Sequence, residues 1–81
     1  MKATYEFSVK AECPVDAAII EFAVTVTADW MITVEELLAH CHALTNTAIM
    51  QEPFTEALAS RLQAQVTTTG THSGVKITCS A

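Results

Sequence analysis

Three residues of this 81-residue chain can do chemistry that packing alone does not require: Cys13, Glu52 and His72. Cys13 opens Cys13-Pro14-Val15-Asp16, where a thiol at the end of an alternating segment becomes a nucleophile if a cation, a helix N-terminus or a basic partner lowers its pKa. Its place in the apolar parity of Tyr5, Phe7, Val9 and Ala11 equally suits a buried structural cysteine. Glu52 stands just ahead of Pro53, a residue that can only open a helix, so its carboxylate lies at a helix mouth. There it can accept two parallel hydrogen bonds from the N–H/NH2 edge of a guanine-like ring, or remain a solvated glutamate favoured by the helix dipole. His72 precedes Gly74 in a turn, where an imidazole is suited to shuttle a proton, to stack on a ring, or simply to face water. Trp30 is suited to wall a heterocycle pocket or to cover a core edge or subunit seam.

These residues need elements to hold them. From Thr4 to Cys13 the chain alternates, with Tyr5, Phe7, Val9 and Ala11 on one face and Glu6, Ser8, Lys10 and Glu12 on the other, the signature of a half-buried strand. Pro14 and Asp16 supply a turn. A second strand follows, with Phe22, Val24, Val26 and Ala28 opposing Glu21, Ala23, Thr25 and Thr27. Thr33 and Glu36 form a capping box for a helix whose apolar stripe is Val34, Leu37, Leu38 and Cys41, ending near Leu44 to Asn46. A second helix is expected to open about Pro53 and to bury Phe54, Ala57, Leu58 and Leu62. Val66 to Thr69, a turn containing Gly70 and Gly74, and then Val75, Ile77 and Cys79 facing inward make a closing hairpin.

The order strand, strand, helix, helix, strand, strand defines an α+β domain over residues 1–81, an antiparallel four-stranded sheet with both helices on one face. Two sheet edges stay open in so small a chain, and closing the sheet against copies of itself into an oligomeric barrel would remove them. With a net charge of −5 and only Lys2, Lys10, Arg61 and Lys76 as fixed cations, the surface opposes nucleic acid and anionic lipid. No apolar run approaches membrane-spanning length. The three Cys are odd in number and unpaired in spacing, and the N-terminal residues lack the apolar segment of a signal peptide; both suit a reducing, cytoplasmic setting. His40-Cys41-His42 is no metal cluster, because consecutive helical side chains diverge by about 100°.

Element order and motifs together resemble the tunnelling-fold superfamily of GTP cyclohydrolase I, 6-pyruvoyl-tetrahydropterin synthase, dihydroneopterin aldolase, urate oxidase and 7-cyano-7-deazaguanine reductase. Gln51-Glu52-Pro53-Phe54-Thr55-Glu56-Ala57-Leu58-Ala59 resembles the cyclohydrolase segment Gln-Glu-Arg-Leu-Thr-x-x-Ile-Ala and the reductase's His-Glu-x-x-Thr-Asn. Cys13-Pro14-Val15-Asp16 is similar to the start of the reductase's Cys-Pro-x-Thr-Gly-Gln-Pro-Asp-Phe, and His72-Ser73-Gly74-Val75-Lys76-Ile77-Thr78 to its Arg-Gly-Gly-Ile-His-Thr-Thr. The resemblance implies a homo-oligomer that binds a purine, pterin or 7-deazaguanine ring at subunit interfaces. Glu52 would anchor the ring, with Gln51 and Trp30 lining it. Cys13 would serve as nucleophile or covalent trap, with His72 and Glu21 exchanging protons and Glu21 standing in for the family's proton-donating Asp. The reductase's Lys/Ser-rich cofactor segment has no counterpart from Met31 to Leu38, and the family's zinc ligands have none anywhere, so neither cofactor nor metal is expected. A small structural, adaptor or ligand-sequestering oligomer built on the same sheet is the alternative.

Overall fold

In the computed structural model, which describes residues Met1–Ala81, β1 (Ala3–Glu12) and β2 (Ile19–Ala28) form a long hairpin. The chain then leaves the sheet for α1 (Val34–Thr45) and α2 (Gln51–Leu62) and returns as β3 (Gln65–His72) and β4 (Val75–Ser80). All four strands are antiparallel, in the order β1-β2-β3-β4, so the helical excursion joins the two central strands. No helix is long and apolar enough to cross a membrane.

Alternation decides which face of the sheet the helices cover. Phe22, Val24, Val26 and Ala28 of β2 are buried, as are Val66 and Thr68 of β3, while their neighbours turn outward. Onto this face α2 lays Phe54, Leu58 and Leu62 and α1 lays Leu37 and Cys41; Phe54 and Leu58 are fully buried. Each such side chain removed from water contributes about 1.5–3 kcal/mol. The Phe22 and Phe54 rings lie 5.4 Å apart at 43°, a tilted pair that locks the first turn of α2 to β2. Where the sheet meets α2, one polar network is closed within the protein: Thr55 Oγ1 donates to the Gln51 carbonyl (2.8 Å), Thr68 and Thr55 hydroxyls lie 2.6 Å apart, and Gln51 Nε2 donates to Thr68 Oγ1 (3.1 Å). No buried side-chain polar atom lacks a partner.

Four expectations need correction. Helix α2 starts at Gln51, with Met50 as its N-cap and no side-chain cap; Pro53 is tolerated at the third position because the first helical bond is Phe54 N–H to Met50 O, 3.1 Å. On α1 the buried stripe narrows to Leu37 and Cys41, and Val34 (56%) and Leu38 (38%) are exposed, because α1 packs chiefly against α2 and β1. Gly70 belongs to β3, and the turn is Ser73-Gly74 alone. In β4, Val75 and Ile77 keep the inward parity, opposite His72 and Gly70, but are exposed and Cys79 is half-buried, because β4 is an edge strand that the N-terminal end of α2 covers only in part. The outer edges of β1 and β4 are both unpaired within the chain.

Candidate functional site

The loop from Cys13 to Ala18 presents a thiol and a carboxylate in one fixed arrangement because its backbone bonds hold it in one shape. Cys13 N–H donates to Ala18 O (2.8 Å) and Ala17 N–H returns to Cys13 O (2.9 Å), closing a turn that passes through Ala17 at φ 61°. A non-glycine residue in that region costs about 1–2 kcal/mol. Ala18 N–H then donates to Asp16 Oδ1 (3.1 Å), which aims the other carboxylate oxygen across the sheet. There His72 Nε2 meets Asp16 Oδ2 at 3.0 Å, the chain's one side-chain ion pair. His72 is the last residue of β3, set opposite Val75 by a two-residue turn with positive φ at both Ser73 (51°) and Gly74 (80°), the form that matches strand twist. Two of the three non-glycine residues with positive φ, Ala17 and Ser73, are therefore direct neighbours of Asp16 and His72.

Cys13, Asp16 and His72 each turn a donor atom to a common point, all within 4.8 Å of one another. Cys13 is buried, whereas the His72 and Asp16 side chains remain 36% and 47% accessible. The Asp16 carboxyl is held below its ordinary value of 3.8, first by the Ala18 amide, then by hydrogen bonds from His72 and Cys13. Cys41, by contrast, is pushed up to about 11 by burial, which makes it an inert thiol.

Beside the cluster lies a small apolar cavity of about 80 Å³, floored by Gly70 and walled by Ile20, Phe22, Ile49, Met50 and Ile77. Ile49 is fixed there by its N–H bond to Glu12 O, 3.0 Å. The glycine matters: a Cβ on Gly70 would meet Phe22 Cδ1 at 3.0 Å and Gln51 Oε1 at 3.2 Å. Gln51 also spends its side-chain NH2 on Thr68 O (3.2 Å) and Ile77 O (3.0 Å), so it ties the mouth of α2 to β3 and β4 while its carbonyl oxygen lies over Gly70.

Of the residues singled out in the sequence, Cys13, His72 and Gln51 meet around this cavity. Glu52, next to Gln51 at the start of α2, is exposed and forms no ion pair. Glu21 does not join them: it is exposed and pairs in register with Lys10, because β2 alternates and Ile20 and Phe22 occupy the inward positions. Trp30 lies beyond the far end of β2, about 30 Å along the strand from Ile20 at roughly 3.3 Å per residue. Asp16, which the sequence suggested only as a turn residue and as part of the Cys13 motif, is the carboxylate that meets His72. Thr55 and Thr68, which position Gln51, carry no periodicity signal as polar residues in apolar faces. A larger open hollow of about 420 Å³ at the opposite end, lined by Lys2, Asp29, Gln63 and Gln65 among others, contains no thiol or imidazole.

No family model matches the sequence, and no curated protein does. Among solved structures, the chain is similar to the crystal structure of the archaeosine synthase QueF-Like in the apo form, with a TM-score of 0.88 and 17% identity over 99% of this chain and 90% of the other. An identity this low speaks to architecture, and the architecture is that expected from the motifs. The chain has the ββααββ tunnelling fold.

Proposed function

We propose that this protein binds a purine-, pterin- or 7-deazaguanine-type heterocycle and acts in 7-deazaguanine metabolism, with Cys13 as the group that attacks or traps the ring. The observation that carries the reading is the convergence of Cys13, Asp16 and His72 at the mouth of α2, in a fold that matches an archaeosine synthase QueF-Like protein over 99% of the chain. Its support is chemical as well: a buried thiol next to an exposed Asp–His pair suits nucleophilic addition with a proton partner at hand. Against a ring bearing a nitrile, the step balances simply. The Cys13 sulfur bonds to the nitrile carbon, one C–N π bond is consumed, the thiol proton reaches the nitrile nitrogen by way of the Asp16–His72 pair, and nothing leaves.

A cavity of about 80 Å³ is far below the roughly 300 Å³ at which small-molecule pockets begin. The full site is accordingly completed by a second copy, and the unpaired edges of β1 and β4, the exposed Met50 and Ile77 at the cavity, and the exposed Val15, Ile19 and Val75 in the adjoining loop and strands are the surfaces available for it. Glu52 anchors the ring through its N–H/NH2 edge, and Trp30 walls that cleft only from a neighbouring copy. The test is native mass spectrometry of the protein incubated with 7-cyano-7-deazaguanine. A closed oligomer carrying a covalent adduct of the ring's full mass, lost in Cys13→Ala and not formed in Glu52→Gln, is the expected result. A monomer that takes up no ring would overturn the reading.

A further inference from the structure

We propose that Cys13, Asp16 and His72 form a binding site for one zinc-class divalent cation, and that this cation and an electrophilic ring exclude each other at the Cys13 sulfur. The first part stands on geometry alone; the second rests on the reading of Cys13 as nucleophile.

A tetrahedral zinc holds sulfur at about 2.3 Å and nitrogen or carboxylate oxygen at about 2.0–2.2 Å, which sets its donors roughly 3.3–3.8 Å apart. Here one sulfur, one imidazole nitrogen and one carboxylate oxygen already lie within 4.8 Å of one another. Asp16 Oδ2 and His72 Nε2 are at 3.0 Å, so only a small separation of that pair and a small approach of the sulfur are needed. The donors are also held in place. The Cys13–Ala18 turn fixes the thiol through two backbone bonds, the Ala18 amide pins Oδ1 and leaves Oδ2 free to ligate, and the Ser73-Gly74 turn fixes His72. Such support for ligating groups is what a metal site requires beyond its ligands.

The donor set selects the cation. Thiolate, imidazole and carboxylate together suit zinc and cobalt, whereas magnesium and calcium take oxygen. The three protein donors leave a fourth position, next to the apolar cavity of Ile20, Phe22 and Ile77, for water or a ligand atom. Entry is open through the exposed sides of Asp16 and His72. On binding, the metal–sulfur bond forms as the Cys13 proton is released to solvent, the hydrogen on His72 Nε2 passes through solvent to Nδ1, and the His72–Asp16 hydrogen bond gives way to two metal bonds. A zinc ion draws on the electron density of the sulfur and covers the side from which an electrophilic carbon would approach, and the two reactions therefore compete.

The experiment is a titration of the metal-free, reduced full-length chain with Co2+, read by the thiolate-to-cobalt charge-transfer absorption, followed by displacement with Zn2+. One ion per chain is expected, with loss of the band in Cys13→Ser, at least about tenfold weaker binding in His72→Ala and Asp16→Asn, and no change in Cys79→Ser or His42→Ala. No band, or a band that survives Cys13→Ser, overturns the site; if circular dichroism shows Cys13→Ser unfolded, unchanged affinity in His72→Ala overturns it instead. In a second step, Zn2+ is expected to block alkylation of Cys13 by iodoacetamide and to suppress the 7-cyano-7-deazaguanine adduct. Alkylation at an unchanged rate with zinc bound overturns the exclusion. Metal binding without any ring adduct in metal-free protein leaves the cation site standing and sinks the heterocycle reading.

Discussion

The two ends of the sheet are built from the same strands and differ in almost everything else. At the far end, Tyr5 Oη accepts from Ile32 N–H (2.7 Å) and lies 2.8 Å from Ile32 O, α2 finishes on buried Leu62, and the surface hollow there holds only the opposed charges of Lys2 and Asp29. At the near end, a thiol, a carboxylate and an imidazole meet beside backbone with positive φ. Non-glycine backbone in that region persists only where its surroundings hold it, and it gathers at sites of function. One end of this sheet is therefore spent on closing the core, and the other on presenting groups that the core does not need. Helix α2 connects them, since its 12 residues span about 18 Å from the cavity to the hollow.

The comparison breaks most completely if α2 loses its grip. Leu58→Ala empties a fully buried position and is expected to cost about 2–5 kcal/mol by denaturant unfolding, loosening both ends together. A cost below about 1 kcal/mol would mean that α2 is not the common support. Thr68→Val removes the hydroxyl shared by Gln51 and Thr55 and leaves Thr55 short of a partner, with an expected loss of about 1–3 kcal/mol. Its mark should be local: faster amide exchange at the mouth of α2 than near Leu62.

Gly70→Ala sharpens the contrast, because the new methyl enters the cavity at 3.0–3.2 Å from Phe22 and Gln51. Ring uptake is expected to fall by about tenfold or more, with stability reduced by about 1–3 kcal/mol as the neighbours shift. Undiminished uptake would show that the ring does not use this cavity.

Ala17→Gly relieves the φ 61° turn and is expected to stabilise by up to about 1 kcal/mol while slowing Cys13 chemistry, since the loop that aims Asp16 gains freedom. The smallest effect is electrostatic. Asp16 has a lowered pKa in the folded chain, so its contribution is fully present above its ordinary value of 3.8 and is lost as pH falls through the lowered value. Asp16→Asn should therefore lower stability slightly at neutral pH and flatten the loss in acid, the two chains converging as pH falls through the lowered value. A pH dependence identical to the unmodified chain would show that Asp16 is not held by its partners.

Alternation at Tyr5 to Ala11 and at Phe22 to Ala28, together with the Thr33 cap confirmed by Glu36 N–H to Thr33 Oγ1 at 3.1 Å, made the strand and helix order readable, because period and caps are local properties. The same locality hid the exposure of Val75 and Ile77: strand parity says which residues share a face but not whether anything covers that face. Alternation does set Glu21 on the face opposite Phe22; what it leaves open is which residue shares that face beside it, and the register supplies Lys10.

What the sequence determined by itself was the element order, the inward face of β1 and β2, and the presence of Cys13, Gln51 and His72 as residues with something to offer. What the tertiary structure decided was their company. Asp16 and His72 are 56 residues apart, and they meet only because β3 inserts beside β2 after both helices have been made. A site assembled from a turn, a helix mouth and a strand end has no spacing of its own along the chain, because the distances that define it run across the sheet.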